Sequence, residues 1–248
     1  MTELPGFNVS LKRLADRRAL AVGDLASLSA VGEDELRAVF DGASPSPALL
    51  RRLASAFHLH PEDLFVIAEV TLPLEMTPLD PRAGTWAATL ACQAAKLPTP
   101  ERAHLRRLAG ALPQEPRTQP APGPRPHLKY PPGPGRVLAR LLANRNLDLA
   151  SGARTFLALT GRYWSAATYG QVGRGRRVVT PELLADYATV LGVPVRDLAA
   201  LTGVEPPHRT PAPSPVSIDV ADLLWETRRL SSDQVKRLSD SARAARPS

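Results

Sequence analysis

The chain has 248 residues, of which 44% are hydrophobic and 22% charged, and this composition favours folded domains over wholesale disorder. The net charge is +7, with 31 Lys and Arg against 24 Asp and Glu. No apolar run of about 18 residues predicts a membrane span, and MTELPGF lacks the pattern of a signal segment. One cysteine, Cys92, excludes an intrachain disulfide or a multi-thiolate zinc site, so a reducing cytoplasm is the expected compartment.

Residues 1–70, the first unit, have a net charge of −3 and apolar residues at helical spacing. One such apolar stripe consists of Leu49, Leu50, Leu53 and Phe57. Ser46 before Pro47 has the pattern of a capped helix start. Because no convincing alternating strand pattern occurs anywhere in the chain, the predicted fold is all-α.

Residues 71–112 predict a helical hairpin extension, and we expect it to pack against the first unit as an added cap. Thr99 before Pro100 is the predicted cap of one of its helices. Residues 113–134 hold nine prolines in 22 positions and predict an extended Pro-rich linker. A segment bound by a proline-recognising domain is the alternative interpretation.

Residues 135–205, the second unit, have a net charge of +4 and again show capped helices with apolar stripes. Residues 206–215 hold five prolines in ten positions and predict a second linker. Residues 216–248, the tail, predict two amphipathic helical segments, the later one with a capping box from Ser231 to Gln234. Two short helices bury little alone, so we expect the tail to fold back on the second unit or to pair with a second chain.

An internal repeat relates the two units. Residues 46–70 align without gaps on residues 180–204, with seven of 25 positions identical. Upstream, residues 11–20 match residues 138–147, and the second copy carries about seven more residues between the two blocks. The shared cap, stripe and block order favour a duplication over chance similarity of leucine-rich helices.

Each copy predicts a helix, a short helix, a tight turn, another short helix, a loop with glycine and two more helices. This order resembles the phage-repressor-like (XRE/Cro) helix-turn-helix family. In the first copy the resemblance lies in LASLSAVGEDELRAVFDG (25–42), and in the second it lies in residues 160–201, with Trp164 at the turn and Ser165 at the cap. It implies two lambda-repressor-like helix-turn-helix units joined by a Pro-rich linker.

The resemblance implies that the third helix of a unit enters the major groove of double-stranded DNA. In the second unit, Thr168 and Gln171 can hydrogen-bond bases, whereas alanines can touch thymine methyl groups and arginines can hold phosphates. The predicted DNA-binding residues are Arg162, Ser165, Ala166, Ala167, Thr168, Gln171, Arg174, Arg176 and Arg177. A solvated basic loop is the plainer interpretation. Gly170, within this helix, indicates a close approach of another backbone or a weak helix.

The first unit has Glu33, Asp34 and Glu35 at the start of its third helix. Carboxylates oppose binding to phosphates, although they also stabilise a helix N-terminus. We therefore expect this unit to contact another subunit or a protein partner, and charge changes at Glu33 and Asp34 to leave DNA binding nearly unaffected.

No catalytic or metal-binding constellation can be assembled from the sequence. His58 and His60 are close, but no cysteine or third histidine lies near them. The glycine-rich residues 170–175 lack the lysine and hydroxyl residue of a phosphate loop. We therefore predict no enzyme, no cofactor and no metal.

Together, these features predict a cytoplasmic, sequence-specific DNA-binding transcriptional regulator, with homodimerisation supplying a second reading unit and with no membrane partner. The first unit or the tail would supply the dimer contact. The alternative is a protein-interaction adaptor whose helix-turn-helix repeats have lost DNA binding, because the acidic first unit favours the adaptor and the basic second unit favours the regulator.

Overall fold

A computed structural model describes residues 4–117, 129–209 and 212–245. These residues form fourteen α-helices and no strand, which confirms the all-α prediction. The helices of the first unit are α1 (Phe7–Arg17), α2 (Val22–Ser29), α3 (Glu33–Phe40), α4 (Pro47–Ala56) and α5 (Pro61–Ile67). No helix in the described ranges is long and apolar enough to cross a membrane.

The second unit has five helices in the same order. They are α8 (Pro134–Asn144), α9 (Leu149–Thr160), α10 (Ala166–Gly173), α11 (Pro181–Leu191) and α12 (Val195–Thr202). The first helix packs on the third, the second on the third and fourth, and the fourth on the fifth, in both units. The longer α9 and the longer turn after it take up most of the extra residues expected in the second copy.

The remaining helices form a four-helix group that lies outside both units. Its members are α6 (Gly84–Ala94), α7 (Thr99–Ala111), α13 (Pro215–Thr227) and α14 (Ser232–Ala244). The main neighbours of α6 are α14 and α9, and the main neighbour of α7 is α13. Helices α6 and α7 therefore pack mainly on the tail and the second unit, and not on the first unit as the sequence predicts. Within residues 71–112, Glu75 and Met76 do contact Arg51 of the first unit.

The tail folds back within its own chain. Val220, Leu223 and Leu224 of α13 are buried, as are Val235 and Leu238 of α14. Helix α13 covers α7, α6 and α11, and α14 covers α6 and α7. Of the two alternatives left open by the sequence, the structure favours folding back, with most of the contact made to α6 and α7.

Six of the fourteen described α-helices begin at a side-chain cap, among them the predicted caps Ser46, Ser165 and Ser231. Ser46 accepts a hydrogen bond from the backbone N–H of Leu49 at 3.1 Å, and the capping box of Ser231 with Gln234 is present. The predicted cap at Thr99 is wrong: α7 begins at Thr99 itself, and the Thr99 hydroxyl accepts a hydrogen bond from Arg102 at 2.9 Å.

The ends of the Pro-rich residues 113–134 are attached to the body of the protein. Arg117 donates hydrogen bonds to backbone carbonyls of residues 74–79, and Gln234 donates to the carbonyl of Pro113. Helix α8 begins at Pro134, the last residue of the predicted linker. Residues 118–128, the centre of this predicted linker, lie outside the described residues.

Candidate nucleic-acid interface

Helix α10 begins at a side-chain cap and presents short side chains. The Ser165 hydroxyl accepts a hydrogen bond from the backbone N–H of Thr168 at 3.2 Å, and the two side-chain hydroxyl oxygens lie 3.1 Å apart. The Thr168 hydroxyl is therefore already engaged at the cap. Ala167 and Gln171 are exposed, whereas Ala166 and Thr168 are half-buried.

An aromatic cluster fixes the inner face of α10. The ring of Tyr169 stacks on Phe156 with centroids 4.6 Å apart and lies 5.7 Å from Trp164. Tyr187 of α11 meets Phe156 edge-on at 4.8 Å. Such pairs add about 0.5–1.5 kcal/mol each beyond the apolar area they bury, so α10 is held rigidly against α9 and α11.

Glycines allow α8 and Tyr130 to approach α10 closely. A Cβ at Gly135 would lie 1.9 Å from the backbone oxygen of Val172, and one at Gly173 would lie 2.4 Å from the Tyr130 ring. At Gly170 a Cβ would meet side chains, those of Arg174 at 2.9 Å and Leu149 at 3.2 Å. Gly170 therefore makes room for side chains, and the backbone approach expected there occurs instead at Gly135.

Three exposed arginines, Arg174, Arg176 and Arg177, follow the C-terminal end of α10 and form what we call the basic surface. The guanidinium carbon of Arg174 lies 5.0 Å from the Tyr130 ring centroid, and that of Arg177 lies 4.2 Å from the Trp164 ring centroid. Stacking occupies the guanidinium faces and leaves the in-plane N–H donors available for an anion. None of the three pairs with a carboxylate in the described part of the chain.

Arg162 is predicted to contact DNA but has a different environment. Its guanidinium forms an ion pair with Asp186 and lies 4.8 Å from the Trp164 ring centroid. Burial raises the pKa of Asp186, while the Arg162 guanidinium acts in the opposite direction. Arg162 thus orients Trp164, and its charge is already matched by a carboxylate.

Sequence reasoning did not single out Tyr163 and Val178. Tyr163 is 85% exposed and Val178 is 70% exposed, although both are large apolar residues. Because Trp164 contacts Arg177, the chain neighbours Tyr163 and Val178 border the basic surface. An aromatic residue in a turn is usually buried, so the sequence pattern gives no signal that Tyr163 is exposed.

Helix α3 corresponds to α10 in the first unit, with Glu33, Asp34 and Glu35 where α10 has Ala166, Ala167 and Thr168. Arg37 forms ion pairs with Glu33 and Asp34, the latter at 3.1 Å. All three carboxylate residues are exposed, so α3 keeps a net acidic start.

The predicted histidine pair lies away from these surfaces. His60 stacks on Trp225 with ring centroids 3.4 Å apart, whereas His58 is exposed. The described residues contain no group of three or more His, Cys, Asp or Glu able to hold a metal ion. Comparison with protein-family models, curated proteins and solved structures gave no match to this chain.

Proposed function

We propose that the protein is a sequence-specific, double-stranded-DNA-binding transcriptional regulator that reads the major groove with α10. The observation that carries the proposal is that α10 presents exposed, uncharged side chains and is followed by three exposed arginines that form no ion pair with a carboxylate of the described residues. Ala167 and Gln171 have the chemistry for base edges, since alanine packs on thymine methyl groups and glutamine pairs with adenine.

Phosphate neutralisation by the basic surface supplies the affinity. Contacts to phosphates fix the position of a protein on DNA but carry no sequence information. All three arginines are exposed and can reach a phosphate, and the guanidinium groups of Arg174 and Arg177 also contact the rings of Tyr130 and Trp164. Arg162 supports this arrangement through Trp164 and contributes little charge of its own.

The adaptor alternative is favoured by one observation, the acidic start of α3. A unit with exposed Glu33, Asp34 and Glu35 suits a basic protein partner better than it suits DNA. The two functions differ in whether the wild-type chain enriches any DNA sequence. The cytoplasmic location stays a prediction.

Selection from a pool of randomised duplexes at low salt tests the proposal. We expect the full-length chain to enrich a defined sequence, and Gln171→Ala to change the base preference at one or two positions. Gln114→Ala, which alters another exposed glutamine, is the matched control and keeps the wild-type preference. Failure of the wild-type chain to enrich any sequence would reject the regulator and favour the adaptor.

A further inference from the structure

The repeat pairs two arginines and two aspartates that turn out to lie at one interface. In the aligned blocks, Arg18 corresponds to Arg145, and Asp63 corresponds to Asp197. Each arginine directly follows the last residue of the first helix of its unit, and each aspartate lies at the start of the fifth helix. The sequence alignment gives no reason to expect these residues to meet across the two units.

In the structure each arginine reaches the aspartate of the other unit. Arg18 binds Asp197 at 2.6 Å, and Arg145 binds Asp63 at 2.9 Å. The helices show the same reciprocal pattern, because the first helix of each unit packs on the fifth helix of the other: α1 on α12, and α8 on α5. Within its own unit Arg18 lies 5.9 Å from the ring centroid of Phe57, and Arg145 donates to the carbonyl of Leu191, the residue that corresponds to Phe57.

Such reciprocity is the signature of an isologous interface. When residue i of one partner contacts residue j of the other, and j of the first contacts i of the second, a two-fold axis relates the partners. The two units of this chain are therefore related by an approximate two-fold axis. The first unit stands towards the second as one subunit of a symmetric dimer stands towards its partner.

We propose that the chain is a single-chain counterpart of a helix-turn-helix dimer, in which α3 lies over the DNA turn next to the one read by α10 and reads no bases. This inference rests on the proposed function of α10. A two-fold axis that relates the units exchanges α3 with α10, and paired recognition helices reach successive major-groove turns of one DNA face. The target site is then asymmetric, with one specified half-site, and no second chain is required.

The acidic start of α3 sets the electrostatics of the second half-site. Glu33, Asp34 and Glu35 face phosphates there, so this half weakens binding instead of adding to it. From the sequence we expect the opposite, namely that charge changes at Glu33 and Asp34 leave DNA binding nearly unaffected. The difference arises from the reciprocal contacts, which fix the first unit beside the second.

A substitution that gives α3 the opening residues of α10 tests the inference. The variant is Glu33→Ala, Asp34→Ala and Glu35→Thr in the full chain. The control also removes three exposed negative charges, through Asp16→Asn, Glu75→Gln and Asp240→Asn. Binding to a selected duplex is titrated at several salt concentrations, DNase footprints are recorded, and light scattering gives the mass of the free and bound protein.

We expect a monomer and an asymmetric footprint from the wild-type chain. We expect the α3 variant to bind DNA about tenfold more tightly at low salt and to protect the second half-site as well. The slope of log K against log salt should become steeper by an amount that corresponds to about one or two additional phosphate contacts. The control shifts affinity far less and leaves the footprint unchanged. Thermal unfolding checks that both variants fold.

The outcomes separate the inference from the proposed function. If the wild-type chain binds DNA and the α3 variant matches the control, α3 does not lie over DNA and the inference is wrong. A dimer of chains that protects two equal half-sites would also overturn it. If the wild-type chain binds no DNA, the proposed function itself fails, and this role of α3 falls with it.

Discussion

Tyr169 buries a hydroxyl group for which the described residues offer no hydrogen-bond partner, and burial raises the pKa of this phenol above its ordinary value. A buried donor without a partner costs about 1–3 kcal/mol of desolvation, while the ring itself packs well on Phe156. We expect Tyr169→Phe to raise the free energy of unfolding by up to about 1 kcal/mol in urea titrations. Tyr163→Phe, at an exposed position, should change it little. A clear loss of stability in Tyr169→Phe would mean that the hydroxyl has a partner.

His60 is held neutral by its surroundings. Burial, with Arg145 and Arg228 nearby, lowers the pKa of His60 from 6.5 to about 4, although Asp63 acts in the opposite direction. The unfolded chain takes up this proton below about pH 6.5 and the folded chain does not. The stability that the neutral His60 contributes to the folded chain is thus fully present above about pH 6.5 and is lost as the pH falls towards 4.

We therefore expect His60 to cause a loss of about 1 kcal/mol of stability between about pH 7 and about pH 5. His60→Phe keeps a ring that can stack on Trp225 but cannot titrate, so its stability should fall less over this interval. His104→Gln, at an exposed histidine, is the control and should keep the wild-type dependence. Equal pH dependence in wild type and His60→Phe would contradict this account.

The contact between α8 and α10 depends on Gly135. Because a Cβ at this position would overlap the backbone of Val172, the two helices would have to separate. We expect Gly135→Ala to lower the free energy of unfolding by at least about 2 kcal/mol. Gly110→Ala, at a helical glycine with nothing near its Cβ position, should leave stability unchanged or raise it by about 0.5–1 kcal/mol. Equal effects of the two substitutions in urea titrations would show that the close approach does not limit packing.

Local signals predicted the helices well, because caps and apolar spacing act over a few residues. Ser46 and Ser231 mark helix starts that the structure confirms. The placement of α6 and α7 could not be predicted, since their small apolar residues, such as Ala88 and Ala91, fit many partner faces. Which helix covers them depends on contacts far apart in sequence.

The candidate site shows the same limit. The sequence predicts Gln171 and the arginines of the basic surface as DNA contacts, and this stays a prediction. The sequence could not show that Asp186 pairs with Arg162, because Asp186 lies on another helix. Tyr163 was missed because exposure of an aromatic residue is set by tertiary packing. Side-chain chemistry can be read from sequence, whereas partners and exposure require the fold.

At the scale of the whole molecule, two related ion pairs join the units but differ in burial. Arg145 is 0% exposed and pairs with Asp63, whereas Arg18 is 22% exposed and shares Asp197 with Arg17. Removing one partner of a buried pair leaves an uncompensated charge, at a cost of about 3–5 kcal/mol.

We therefore expect Asp63→Ala to destabilise the chain by about 3 kcal/mol or more, and Asp197→Ala to cost clearly less because water can solvate the freed arginines. Chemical denaturation of the full chain, followed by circular dichroism, measures both. If Asp197→Ala proved the more damaging change, burial of Arg145 would not be the source of the difference.

The salt dependence of DNA binding tests most directly the central claim, that α10 and the basic surface bind DNA. The measurement compares the wild-type chain, Arg174→Ala with Arg176→Ala, and a control with two other exposed arginines replaced, Arg154→Ala with Arg196→Ala. We predict that the first double variant binds selected and scrambled duplexes more weakly by the same factor. The slope of log K against log salt should become shallower by about two, while the control keeps the wild-type slope. An unchanged slope in the first variant, with wild-type affinity for the selected duplex, would contradict the claim.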